Sequence, residues 1–331
     1  MLTFDLTKEK DVCAFGRASI DLYAAQIGPL EETSVFNRYL GGSPANTAVA
    51  MANFGLRVGY IGRVSDDQFG RFIVRYMADK GIDVSHIVYD KSGAKSGLSF
   101  CEQREKGKGV GAFMYRTGCA DLQIDCAQID GGYLSNFRML LLSGTSLSHS
   151  PAREAALLAI ARAKQNNVRV ALDLDYREGT WDNADEPSVY YTMAAAQADI
   201  VMGTREEFNV MERLYMPGNQ DDRASATKLF AQGVSMVCIK RGSDGSTVYT
   251  DDGGVYRGGI YPTTVYNTFG AGDSYSGAFN YCLLKGLGIA QALRFAAASA
   301  SFTVARPSCS DAMPAREQVE EIIKNNQYQE K

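Results

Sequence analysis

Short, nearly continuous apolar runs alternate with amphipathic stretches along most of this chain of 331 residues. Apolar runs bounded by turn residues read as buried strands, and apolar positions at helical spacing read as one-sided helices. A strand at 12–16 precedes a small-residue helix at 47–54, a strand at 58–64 and an amphipathic helix at 67–80 that Asp66 starts and Gly81 ends. After Arg138 the alternation is regular, with strand 139–143, helix 151–166, strand 168–174, helix 186–197 and strand 200–202. Helices 204–214 and 223–232, strand 236–240 and a hairpin at 247–260 turning on Asp252-Gly253-Gly254 come next. Helices at 272–285, 289–305 and about 315–324 close the chain. Strand–helix alternation of this kind predicts an α/β protein, a doubly wound and mainly parallel sheet between two helical layers.

One region breaks the pattern. From His86 to about Ile124 the sequence changes to short alternating strands, 96–103 and 110–116, separated by a turn at 105–109. That departure predicts a small β-sheet lid, built from about 17–40 and 95–124, laid over the main domain. His86 falls in a strand and reads as a structural residue. Without repeats, low-complexity tracts or linkers, residues 1–331 read as a single domain with a lid.

Composition narrows the function classes. A hydrophobic content of 45% and a charged content of 22% are ordinary for a globular protein with a substantial core. The net charge of −4, with no basic stripe, points away from nucleic acid. Seven cysteines without a closely spaced pair read as reduced thiols, and the two histidines, His86 and His149, do not make a metal cluster. The N-terminus lacks the apolar core of a signal peptide, and no apolar run reaches membrane-spanning length, so the expectation is a cytoplasmic protein.

The candidate chemistry centres on Asn267-Thr268-Phe269-Gly270-Ala271-Gly272-Asp273. Gly270, Ala271 and Gly272 sit where a loop turns into a helix and leave backbone N–H groups bare, a cradle for an anion whose charge grows during reaction. Asp273, in the first turn, is wasted on plain phosphate binding but suits removal of a proton from an attacking hydroxyl; a helix entry with an acidic first turn is the bland alternative. Asp21, after the first strand, can grip hydroxyls or cap a turn. Gly41-Gly42-Ser43-Pro44-Ala45-Asn46 allows close backbone approach, and Asn46 offers a donor and an acceptor, although a glycine turn with Pro44 at the first helical position has the same look. Asp173-Leu174-Asp175-Tyr176-Arg177 ends a strand with two carboxylates and an arginine, fit for an anion or for a loop-closing ion pair. Met114-Tyr115-Arg116 lies in the lid, where Arg116 can descend on an anion or stay solvated. Glu206 opens a helix in Gly203-Thr204-Arg205-Glu206 and can hold water-bound magnesium. Lys240, Gly242 and Gly245 form a loop able to hold ribose and phosphates. There is no Walker A sequence and no dinucleotide fingerprint.

In this order the stretches resemble the ribokinase-like (PfkB) sugar kinases over nearly the whole chain. Gly41-Gly42…Asn46 is similar to that family's N-terminal glycine signature and Asn267–Asp273 to its C-terminal one. The resemblance implies a ribokinase-like three-layer fold and ATP-dependent phosphorylation of a sugar hydroxyl with Mg2+. It assigns Asp273 as base, the Gly270–Gly272 amides as anion hole, and Asp175, Lys240, Gly242, Gly245 and Thr268 to the nucleotide side. The Asp-x-Asp-Tyr-Arg…Trp and Tyr-Arg elements are similar to those of the branch acting on keto-deoxy sugar acids. That likeness implies substrate contacts by Asp21, Gly42, Asn46, Tyr115, Arg116 and Arg177, the two arginines suiting a carboxylate. Nearer alternatives are kinases of other keto-deoxy acids or of fructose; the remote one is a non-catalytic sugar-binding regulator. Asn267 and Phe269 depart from the family pattern at a monovalent-cation site, which makes potassium dependence doubtful, and Gly203 replaces an asparagine before Glu206. Homodimerisation through the lid fits the family.

Overall fold

The computed structural model describes residues 2–103 and 111–331. In the N-terminal part β1 (Lys10–Phe15), β2 (Ser19–Ile27), β3 (Phe36–Gly41), α1 (Ser43–Asn53), β4 (Val58–Ser65), α2 (Gln68–Asp79) and β5 (Asp83–Asp90) precede β6 (Leu98–Gln103) and β7 (Ala112–Tyr115). The middle contains α3 (Gly131–Ser135), β8 (Phe137–Ser143), α4 (Ala152–Gln165), β9 (Arg169–Asp173), α5 (Glu186–Ala195), β10 (Ile200–Thr204), α6 (Arg205–Glu212) and α7 (Asp222–Phe230). The C-terminal part consists of β11 (Met236–Lys240), β12 (Ser246–Thr250), β13 (Val255–Gly258), α8 (Ala271–Leu284), α9 (Ile289–Val304) and α10 (Arg316–Asn325).

A nine-stranded sheet in the order β13-β12-β11-β10-β9-β8-β1-β4-β5 forms the middle layer. Strands from β5 to β11 pair in parallel, and the β12–β13 hairpin adds an antiparallel edge. Its two faces are buried by different helices, which is why the strands are apolar throughout. Along β1, Val12 and Ala14 join the core shared with α1, α8 and α9, while Cys13 and Phe15 join the core shared with α4 and α5. In β8, Met139 and Leu141 point to the first core and Leu140 and Leu142 to the second.

The second sheet, β3-β2-β6-β7, is the lid. It draws on the two stretches read from sequence, but β5, with His86, pairs with β4 in the main sheet. The change of pattern therefore begins after Asp90, and half-buried β5 looks lid-like in sequence because it is an edge strand. His86 stacks on Tyr133 with ring centroids 3.5 Å apart, a packing role. The turn at 105–109 lies outside the described residues. Among those described, no helix is long and apolar enough to cross a membrane.

Because β1, β8, β9, β10 and β11 are parallel, their carboxyl ends share one edge of the sheet, the usual location for chemistry in this architecture. The helix after β4 shows how local sequence sets register. Asp67, not Asp66, is its cap, accepting from the N–H groups of Phe69 and Gly70. Asp67→Ala should cost about 1 kcal/mol of stability, read as a lower urea midpoint with an unchanged slope; an unchanged midpoint would show that the cap is dispensable.

Candidate functional site

Two helix starts meet above the carboxyl edge. Gly270 precedes α8 with φ of 75°, left-handed, and a Cβ there would come within 3.1 Å of Cys309. No side chain caps α8; the N–H of Ala271 donates to the Thr268 carbonyl at 3.4 Å, and those of Gly272 and Asp273 stay available to an anion. Gly42 precedes α1 with φ of 96°, and a Cβ there would lie 2.3 Å from the Arg17 carbonyl oxygen. That close approach brings the start of α1 onto Asp273. Ser43 Oγ donates to Asp273 Oδ1 at 2.7 Å and Asn46 Nδ2 donates to Oδ2 at 2.8 Å. Burial, then the nearby charge of Asp175, pushes the Asp273 carboxyl up to about 6 despite those bonds. A carboxylate so placed can take up a proton near neutrality.

A cavity of about 1040 Å³ opens in front of it. Its polar floor carries Asp173, Asp175, Arg177, Glu207 and Lys240, with Gly242, Gly245 and Thr268 at the side. Its other wall is apolar, built from Ile260, Tyr261, Val265, Ala297, Ala300 and Val304. Lys240 Nζ, at the end of β11, is 3.2 Å from Asp173 Oδ1 at the end of β9, and Ser276 bonds both. A Cβ on Gly272 would lie 4.0 Å from Lys240 Nζ, so the ammonium stands beside the open end of α8. Asp175 has φ of 40°, accepts from Ser143 Oγ at 2.9 Å and pairs with Arg177 at 2.6 Å. This left-handed backbone at a non-glycine residue turns both side chains toward the cavity. Glu207 accepts from the N–H groups of Thr204 at 2.7 Å and Tyr176 at 3.0 Å. Burial pushes its carboxyl up to about 7.

The profile of the pfkB family of carbohydrate kinases matches residues 9–316. The chain belongs to that family. A 5-dehydro-2-deoxygluconokinase of Bacillus velezensis is 48% identical over 322 residues, covering 97% of this chain and 96% of that protein. A protein of the same name from Bacillus subtilis is 45% identical over 322 residues, covering 97% and 98%. Among solved structures, a fructokinase from Xylella fastidiosa with bound ATP superposes with a TM-score of 0.85 at 25% identity, covering 96% of this chain and 98% of that one.

In this carbohydrate kinase the residues singled out from sequence separate into groups. Asp273, Gly270, Ala271, Gly272, Asp175, Arg177, Lys240, Gly242, Gly245 and Thr268 all line the cavity. Asn46 is turned onto Asp273 by its amide, with its Oδ1 buried and unpartnered. Asp21 is buried, its carboxylate packed where a Cβ of Gly41 would be. Arg116 is committed to Asp121, at 2.7 Å, and to the Thr145 carbonyl. Tyr115 does not reach the cavity: it is 62% exposed and packs on Phe100 and Phe113, while Met114, its neighbour in β7, lines the cavity by strand alternation. Glu206 is exposed, and Glu207 stands in the cavity in its place. The capping box Thr204-x-x-Glu207 fixes that register, and its Thr-x-x-Glu spacing was the signal in the sequence. Asn267 donates to the Arg306 carbonyl just after α9 and accepts from Phe269 N, tying the loop before α8 both to itself and to the end of α9. Asp173, one of the two carboxylates read at the end of its strand, also lines the cavity, whereas the hold of Ser43 on Asp273 and the apolar wall were not foreseen, because only packing brings them there.

Asp273 strains the fold in a measurable way. Its folded carboxyl binds the proton more tightly than an ordinary one at 3.8, so its contribution to stability is fully present below that pH and is lost as pH rises through about 6. The ionised form should cost about 3 kcal/mol. The stability of the wild type relative to Asp273→Asn should therefore fall by about that amount between pH 4 and pH 8 in urea titrations. A difference independent of pH would mean that Asp273 ionises without penalty.

Proposed function

We propose that this kinase transfers the γ-phosphoryl group of ATP to the terminal 6-hydroxyl of 5-dehydro-2-deoxygluconate. The observation that carries the reading is the buried Asp273 beside the open start of α8, at the edge of a cavity with a cationic and carboxylate floor. The names of relatives at 45–48% identity over nearly their whole length support the substrate.

Asp273 accepts the hydroxyl proton as the oxygen attacks phosphorus in line, so no covalent enzyme intermediate is needed. Ser43 and Asn46 fix the carboxylate through their hydrogen bonds, which removes the orientational freedom a base would otherwise lose on reaction. The amides of Gly272 and Asp273, with Lys240 beside them, oppose the charge spread over the transferring group. The apolar wall suits the faces of an adenine ring, and the Gly242–Gly245 turn leaves backbone room for ribose and phosphates. No group of three or more metal-ligating side chains occurs among the described residues. The residues present fit magnesium arriving with ATP, which Glu207 and Asp175 would hold on the polar floor of the cavity. When bound, it screens phosphate charge.

Coupled ADP production against a panel tests the reading: 5-dehydro-2-deoxygluconate, 2-keto-3-deoxygluconate, fructose and ribose. The first should have the highest kcat/KM, its acid limb should titrate near pH 6, and Asp273→Asn should lower turnover by about 10²–10⁴-fold with ATP binding kept. Preference for 2-keto-3-deoxygluconate would move the substrate and keep the mechanism; silence across the panel would sink both. Glu206→Gln should leave kcat within about twofold, because its side chain is exposed and outside the cavity. Glu207→Gln should raise the magnesium concentration needed for half-maximal rate by about tenfold, the size of a lost outer-shell contact. The reverse ranking would return the role to Glu206.

A further inference from the structure

Arg17 follows β1 and Gly16, where the chain leaves the main sheet for the lid. It is 6% exposed, and its guanidinium makes no side-chain hydrogen bond or ion pair among the described residues, with Nε buried and unpartnered. Other buried arginines of the domain have counter-ions. Arg116 holds Asp121, and Arg205 holds Glu212 and Asp222. Arg177, at the cavity, holds Asp175. A buried cation without a contacting anion destabilises a fold unless something else supplies the anion.

Its surroundings are built for a polar ligand. Ser19 Oγ and Asp21 Oδ1, on the strand that follows, are buried without partners. So is Ser146 Oγ, which lies 2.4 Å from where a Cβ on Gly16 would stand, and so is Nη1 of Arg116. The carboxylates whose charge reaches Arg17, those of Asp175, Asp121 and Asp21, remain beyond ion-pair distance, and burial together with the like charge of Arg116 works against its proton. The carbonyl of Arg17 abuts Gly42, and the next residue, Ser43, holds Asp273. Arg17 and the base therefore flank the same helix start.

We propose that Arg17, with Nη1 of Arg116 as a second donor, binds the carboxylate of the sugar acid and selects it over a neutral sugar. This rests on the kinase reading above. Asp21, whose Oδ1 is buried without a partner on the strand that follows, accepts from the sugar's hydroxyls. Arg177, already neutralised by Asp175, is left to orient groups near the base.

The test compares wild type, Arg17→Gln and Arg17→Lys on two substrates: 5-dehydro-2-deoxygluconate, and the ketose in which a hydroxymethyl group replaces its carboxylate. Arg17→Gln should raise KM for the acid about 10- to 100-fold, the effect of losing a charged hydrogen bond, while KM for the ketose moves less than about threefold. Arg17→Lys should recover part of the loss. Without ligand, Arg17→Gln should melt no lower than wild type, because an unpaired buried charge has been removed; adding the acid without ATP should raise the melting temperature of wild type and not of the variant. Equal losses on acid and ketose, or a lower melting temperature of the ligand-free variant, would make Arg17 structural and overturn the proposal. Acid-dependent stabilisation through Arg17 in a wild type that produces no ADP would retain the carboxylate site and reject the kinase substrate.

Discussion

The structure depends on holding one carboxylate out of water between two helix starts. Asp273 sits on the first turn of α8, and Ser43 and Asn46, on the first turn of α1, hold it there. The left-handed glycines that begin both helices let their backbones come this close. Moving either helix would release the carboxylate to solvent, where its affinity for a proton would return to the ordinary carboxyl value. The packing of α1 on α8 against one face of the main sheet is therefore part of the chemistry, since it sets where the base is and when it ionises.

The parallel sheet supplies the remaining charges at a single edge. Asp173 and Lys240 end neighbouring parts of the sheet and neutralise one another within reach of α8. Asp175 and Arg177 do the same just beyond β9, and Glu207 is fixed by backbone N–H groups. Pairing at this edge lets many charges share a cavity without unfolding it, because each desolvated ion retains a partner. Arg17 is the exception: its buried guanidinium has no counter-ion within ion-pair distance among the described residues.

Much of this was legible in the sequence. Apolar runs and helical spacing placed most strands and helices of the main sheet, and the loss of that rhythm pointed to the small second sheet, although it was read as starting at His86, inside the edge strand β5 of the main sheet. The glycine-rich stretch before Asp273 pointed to an anion cradle, since a helix start without bulky side chains has that property wherever it occurs. Local patterns were less reliable where two neighbours compete. Asp66 and Asp67, Glu206 and Glu207, and Met114 and Tyr115 differ by a single position, and the choice between them depends on a cap hydrogen bond or on which face of a strand packs inward.

The sequence by itself determined the layered α/β architecture, the lid and the residue types available for phosphoryl transfer, because these follow from periodicity and backbone chemistry local to each segment. Tertiary structure alone decided the partners. Arg116 looks free in sequence but is neutralised by Asp121, Asn46 looks substrate-facing but holds the base, and Arg17 looks like a loop residue but is buried unpaired. Those outcomes turn on desolvation and pairing between segments far apart in the chain, which no local pattern encodes.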